Sequence, residues 1–170
     1  MTMGNYELVP AKLSDLAVCL NILDSGRSFQ RQQGFTQWRD GYPAAADVLR
    51  DIENGGAYLL MVDSSPAAYT YIGFDGDPAY PAIKGSWHFD EPYGVLHRVA
   101  ISEDVRGMGL SDVLFSLAGE LVKSRGFGCL RIDTHEQNKR MQHVLTKNGF
   151  SYCGIVIQNG EPRLAYDKKL

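Results

Sequence analysis

The chain has 170 residues, 44% of them hydrophobic, 11% aromatic and 22% charged, which suits one folded domain with a real core and excludes wholesale disorder. Seventeen basic residues against 20 acidic ones leave a net charge of −3, so the broad basic field needed by a nucleic-acid partner is missing. The longest apolar run, 57–62, is far too short to span a bilayer, and the N-terminus has no basic-then-apolar export signal. A cytosolic protein without a membrane partner is expected.

Residues 5–9 read as a strand. A helix follows from about Ser14, whose hydroxyl can cap it, with Leu16, Ala17, Leu20 and Leu23 on one face and a stop near Gly26. Segment 28–43 is polar and aromatic and ends in Pro43, which opens a second helix carrying Val48, Leu49 and Ile52. Two β-rich runs, 57–62 and 67–74, are joined closely enough for an antiparallel hairpin. Segment 75–92, with three prolines and four acidic residues, reads as a long loop, and such loops are usually functional or mobile.

The second half begins with a strand over 93–101. After 102–107 comes a helix with apolar positions Leu110, Val113, Leu114, Leu117, Ala118, Leu121 and Val122, a clear 3.6-residue period ended by Gly126. A strand over 129–133 and a helix over 137–147 with Met141, Val144 and Leu145 inward precede the Asn148 and Gly149 stop. Strands 150–157 and 162–166, turning at Asn159 and Gly160, close the order β-α-α-β-β-β-α-β-α-β-β. No internal repeat is visible.

Cys19, Cys129 and Cys153 are odd in number, widely spaced and outside any CxxC pair, so buried thiols are expected rather than disulfides. His88, His97, His135 and His143 are not spaced as helix-borne metal ligands, so no metal is expected; His88 and His143 read as surface residues.

Chemistry concentrates between a strand and the first turn of the strongest helix, at Arg106, Gly107, Met108, Gly109, Leu110 and Ser111. Free backbone N–H groups and the positive end of the helix dipole suit a phosphate there. The two glycines remove β-carbons that would hold it away, and Arg106 adds a cation. A Walker loop is absent. The dinucleotide fingerprint is incomplete, because its third glycine would fall on Asp112, although Asp133 lies at a plausible distance for a ribose contact.

Together with Val99, Ala100 and Ile101 before the loop, Asn138 on the next helix and the Asn148, Gly149, Phe150 ending, this segment resembles the GNAT superfamily of acetyl-coenzyme A-dependent N-acetyltransferases. The element order of the whole chain is similar, while the specific motifs lie between His97 and Phe150. The resemblance implies a single-domain α/β fold over 1–170, with a mixed, mostly antiparallel sheet of about six to seven strands flanked by about four helices. It also implies acetyl-coenzyme A as co-substrate, with the backbone of Val99, Ala100 and Ile101 holding the pantetheine arm and the 106–111 loop the pyrophosphate. Asn138 and nearby Lys139 would meet the coenzyme from the other side. The family's coenzyme loop usually ends in Gly or Ala where this chain has Ser111, and Leu145 stands where many members carry a tyrosine that protonates the departing thiolate.

An incoming amine must lose a proton before it attacks the thioester, so a base is needed more than an acid. His97 is the first candidate, two residues before Val99 and so expected on the same strand face. His135 is second, and Glu91 and Tyr93 follow; Tyr152 is a weaker candidate for the acid. Phe35, Trp38 and Tyr42, with Trp87, Glu91 and Tyr93, form a candidate acceptor site. Aromatic walls beside the carboxylates of segment 75–92 would suit a small amine, for instance an arylalkylamine. The expectation is a monomer or homodimer acetylating a small-molecule primary amine; the alternative is a catalytically idle domain that binds coenzyme A as a sensor or partner-binding module.

Overall fold

The computed structural model describes residues 4–39 and 41–170. Its elements are β1 (Tyr6–Pro10), α1 (Leu16–Gln32), α2 (Ala45–Glu53), β2 (Ala57–Val62), β3 (Ser65–Gly73), β4 (Lys84–Gly85), β5 (Tyr93–Ile101), α3 (Leu110–Ser124), β6 (Cys129–Thr134), α4 (Lys139–Lys147), β7 (Ser151–Gln158) and β8 (Glu161–Lys169). The strand order is β1-β2-β3-β5-β6-β8-β7-β4. β5 and β6 run parallel, whereas β1–β2, β2–β3, β4–β7, β6–β8 and β7–β8 are antiparallel. The sheet has eight strands rather than six to seven because two residues of the expected loop, β4, pair with β7.

The chain gathers into two compact units, each discontinuous in sequence. One holds the residues up to Ile72 with Arg98–Leu117; the other holds Gly73–His97 with Ala118–Leu170. β5 therefore contributes its first part to the second unit and its last part to the first.

In the first unit, Cys19, Ile22, Leu23, Trp38, Val48, Leu59 and Tyr69 build a core between α1, α2 and the β2–β3 hairpin. α1 does not stop at Gly26. A Cβ there would lie 2.7 Å from Trp38 Cζ3 and 3.1 Å from Ala100 Cβ, so the glycine admits a close neighbour within a helix that packing sustains. The helix ends instead at Gln32, just before Gly34 with φ +85°. Its entry is a 3₁₀ turn, Leu13–Asp15, fastened by the Asp15 carboxylate accepting from the Lys12 N–H at 2.8 Å rather than by a Ser14 cap. The hairpin turns through Asp63 (φ 48°) and Ser64 (φ 68°), two left-handed residues that match the strand twist.

In the second unit, the expected loop is largely fastened down. It forms a 3₁₀ turn, Tyr80–Ala82, and β4, and Tyr80 is wholly buried with Val95, Val156 and Ala165. Trp87 Nε1 donates to the Tyr80 carbonyl at 3.1 Å. The β4–β7 contact is unusually close: a Cβ on Gly85 would fall 2.2 Å from the Cys153 carbonyl oxygen, and one on Gly154 would fall 2.2 Å from the Lys84 carbonyl oxygen. Only glycine serves at either place.

Candidate active site

In the first unit the coenzyme loop follows β5 through a 3₁₀ turn, Glu103–Val105, and enters α3 at Leu110. Gly107 (φ 86°) and Gly109 (φ 74°) are both left-handed, and a Cβ on either would meet no protein atom within 4 Å. The glycines are thus required by backbone conformation, and the face of the loop is open, as a phosphate cradle must be. Arg106 is held by contacts within the protein. One of its terminal nitrogens donates to the Ser25 and Ile101 carbonyls, each at 3.1 Å, and its guanidinium covers the Phe29 ring at 4.1 Å. It clamps the base of the loop to α1.

Arg98, directly before Val99, has φ +53°, an uncommon value for a side-chain-bearing residue within a strand. Its guanidinium holds both oxygens of buried Asp51 on α2, at 2.8 and 2.5 Å, and donates to Tyr42 Oη at 2.8 Å. Tyr69 Oη donates to the same carboxylate at 2.6 Å. Burial alone would lower the Arg98 pKa, but Tyr42 and Asp51 outweigh it and raise it; burial and then Asp51 push the Tyr69 hydroxyl up. This network holds the kink in place. It also breaks strand alternation at Arg98, so the two-residue spacing of His97 and Val99 does not by itself put them on one face.

In the second unit the parallel ladder pairs Tyr93, Gly94 and Val95 with Cys129, Leu130 and Arg131; Leu96 and His97 lie beyond it. His97 Nε2 lies 2.9 Å from Asp77 Oδ2. Gln158 Nε2 donates to Asp77 at 3.0 Å and to Asp133 at 3.2 Å, and Tyr80 Oη donates to Asp133 at 2.9 Å. Burial would raise the Asp77 pKa, yet the bonds from His97, the Ala79 N–H and Gln158 prevail and lower it. Burial raises the Asp133 pKa, with Asp77 adding to the rise against His97, Tyr80 and Gln158. Two carboxylates beside one imidazole are therefore pushed in opposite directions.

His135, the second candidate base, is buried, and its Nδ1 accepts from the Gln137 N–H at 3.0 Å. Asn138 caps α4, its Oδ1 accepting from the Met141 N–H at 3.0 Å, which leaves its amide nitrogen as the donor available to a ligand. Lys139 is exposed in the first turn of α4. Leu145 is fully buried, an apolar core position of this unit, and Tyr152 is half-exposed.

The acceptor residues expected from sequence all make contacts within the protein. Phe35 and Trp38 are buried, Trp38 against Gly26, and Tyr42 orients Arg98. Trp87 and Tyr93 both cover the Arg131 guanidinium, at 4.2 and 3.9 Å. Glu91 pairs with Lys169 at 3.3 Å. Aromatic residues beside a proline-rich loop read equally well as ligand walls or as packing, and each of these has a packing or polar contact within the protein. Sequence reasoning missed the partners of His97: Asp77 and Asp133 were visible only as loop and strand-end acids, and Gln158 carried no signal.

Residues 24–150 match the acetyltransferase (GNAT) family model. The chain belongs to this family and is an acetyl-coenzyme A-dependent N-acetyltransferase. An acetyltransferase of the GNAT family from Streptococcus agalactiae is 34% identical, with a TM-score of 0.88 over 97% of this chain and 95% of that one. One from Listeria monocytogenes is 22% identical, with a TM-score of 0.75 over the same shares. AAC(6')-Ib in complex with ribostamycin and coenzyme A shares the fold at 20% identity, with a TM-score of 0.69 over 96% and 93% of the two chains. No curated protein matches the chain. Among the described residues, no helix is long and apolar enough to cross a membrane.

Proposed function

We propose that the protein acetylates the primary amine of a small cationic molecule by direct attack of the amine on acetyl-coenzyme A, with His97 as general base and Asp77 as its positioning residue. The observation that carries this reading is the 2.9 Å contact between His97 Nε2 and Asp77 Oδ2. With the ring N–H at Nε2 donating to Asp77, the lone pair of the neutral imidazole lies on Nδ1, the atom that takes the amine proton. The Asp77 and Asp133 carboxylates, joined through Gln158, favour an acceptor that arrives as an ammonium ion.

The open glycine loop supports coenzyme binding by the backbone N–H groups of residues 107–111. Val99, Ala100 and Ile101 would hold the pantetheine arm, while Asn138 and Lys139 would supply side-chain donors. Acetyl-coenzyme A brings an activated thioester whose thiol leaves readily near neutral pH, so the buried, apolar Leu145 in place of a tyrosine is compatible with turnover. An acetyl-coenzyme A assay across small amines, polyamines, amino acids and N-terminal peptides tests the acceptor class. Thiol release with a small cationic amine, lost in His97→Ala, supports this reading. Thiol release only with acidic or peptide acceptors rejects it.

A further inference from the structure

A second cluster of side chains in the same unit has no part in the proposed acetyl transfer. His88 Nδ1 lies 2.8 Å from Asp167 Oδ1 and 3.3 Å from Cys153 Sγ, and one ligand atom from each residue lies within 4.8 Å of the others. Backbone pairing brings them together. The register of β7 and β8 shifts between Tyr152 and Gly154, leaving Cys153 as the extra residue, two positions after Ser151, which pairs with Asp167. The close glycine crossing of β4 and β7, with the Ser86 N–H donating to the Cys153 carbonyl at 3.0 Å, then delivers His88 beside the thiol. The His88 N–H donates to Asp167 Oδ2 at 2.7 Å and orients the carboxylate.

We propose that His88, Cys153 and Asp167 form a zinc-binding site, with Nδ1, Sγ and a carboxylate oxygen as protein ligands and water in the fourth position. Tetrahedral zinc at about 2.0–2.3 Å from its ligands places those ligands about 3.3–3.6 Å apart. The observed separations of 2.8 and 3.3 Å need to open by a few tenths of an ångström. The His88 side chain is 46% exposed and can make that adjustment, and it leaves one side open to water, whereas Asp167 is fully buried. A mixed sulfur, nitrogen and oxygen set selects zinc over magnesium or calcium, which take oxygen ligands. On binding, the Cys153 S–H bond breaks, its proton passes to solvent and an S–Zn bond forms; thiolate and carboxylate then balance the ion's two charges.

The cluster does not fit a cysteine nucleophile. Sulfur and carboxylate face the same ring nitrogen, whereas a nucleophile–base–orienter relay uses opposite ones. A zinc clip there would tie segment 75–92 to β7 and β8.

The test is a cobalt titration of tag-free, metal-stripped, full-length protein, followed by displacement with zinc. The expected result is one equivalent of Co²⁺ with a thiolate-to-cobalt charge-transfer band and strong visible absorption of tetrahedral type, both removed by stoichiometric Zn²⁺. Cys153→Ser, nearly isosteric and leaving Cys19 and Cys129 in place, should abolish the charge-transfer band. His88→Ala, at a half-exposed side chain, should weaken cobalt affinity about 100-fold. A wild-type spectrum without the charge-transfer band, or the same band in Cys153→Ser, overturns the site and leaves a hydrogen-bonded trio only. Should a variant fail to fold, native mass spectrometry of wild type with equimolar Zn²⁺ decides: retention of one ion through buffer exchange supports the site, and loss of the ion rejects it.

Discussion

His97 Nε2 sits 2.9 Å from Asp77 Oδ2, a pairing that joins β5 to a residue twenty positions earlier in the chain. Because the carboxylate fixes the ring's tautomer and direction, the two side chains should differ in what their loss does. His97→Ala should lower kcat by about 10² to 10⁴ and move the low-pH limb of the rate profile, leaving coenzyme A affinity near wild type. Asp77→Asn, which keeps the size but can orient the wrong tautomer, should also lower kcat, by mispositioning an intact base rather than by removing it. Wild-type turnover and an unchanged pH profile in His97→Ala would return the histidine to a structural role and move the same test to His135.

The coenzyme loop gives a binding prediction that is insulated from folding. No protein atom lies within 4 Å of a Cβ built on Gly109, so Gly109→Asp costs the fold only its left-handed backbone penalty, about 1 kcal/mol. Its bulk and negative charge should nonetheless abolish coenzyme A binding, while Met108→Ala, at an exposed side chain, should be mild. Arg106→Ala should weaken binding by about 1 to 2 kcal/mol by loosening the loop from α1, with a matching small loss of stability. Calorimetric titration beside thermal melts tests both; normal affinity in folded Gly109→Asp protein would remove the loop as the site.

Legibility in the sequence followed the range of the forces involved. The α3 stripe, the α4 stop at Asn148 and Gly149 and both hairpins are local patterns of periodicity and turn chemistry, and they folded as read. Gly26 was misread because its role depends on Trp38 and Ala100, distant in sequence. Segment 75–92 reads as a long loop because nothing local shows that Tyr80 will be buried, or that Gly85 and Gly154 will allow two strands to touch. At the candidate site, His97 was visible from its place before the coenzyme motif. Its partners were not, since a side-chain network is assembled by tertiary contacts and leaves no fixed spacing.

Trp38 provides a direct contest between packing and binding. It is 8% exposed and packs on Gly26, so Trp38→Ala should destabilise the protein by about 3 to 5 kcal/mol. Gly26→Ala, which forces a methyl toward the indole, should cost about 1 to 3 kcal/mol. Urea unfolding of both variants checks this. A Trp38→Ala protein of wild-type stability with a selectively raised acceptor KM would instead make the indole a substrate contact.

Asp51 is the counter-charge for Arg98 and the acceptor for Tyr69, so its removal leaves a partly buried guanidinium without its carboxylate and a buried phenol without its acceptor. Asp51→Ala should cost about 3 to 5 kcal/mol. Replacing the pair together, as Asp51→Leu with Arg98→Met, should cost less than the sum of the single changes. A double-mutant cycle measured by urea unfolding gives the coupling, and strict additivity would show that the ion pair does not hold the β5 kink.

Asp77 and Asp133 give the pH dependence of stability opposite signs on the two sides of about pH 4, the ordinary aspartate value. Asp77 has a lowered folded-state pKa, so the stability it contributes is fully present above about pH 4 and is lost as pH falls through the lowered value. Asp133 has a raised one, so its contribution is fully present below about pH 4 and is lost as pH rises through the raised value, when a buried carboxylate must ionise. Each unit of elevation corresponds to about 1.4 kcal/mol. In urea unfolding at a series of pH values, Asp133→Asn should therefore gain on wild type as pH rises from about 4 toward 7, because asparagine keeps an acceptor for Tyr80 and has no charge to bury. Asp77→Asn should instead fall behind wild type as pH rises through the lowered value to about 4, and then run parallel to it. A stability difference for Asp133→Asn that is flat from pH 4 to 7 would mean that this carboxylate titrates alike in folded and unfolded chains, and the opposed pair beside His97 would lose its acid–base asymmetry.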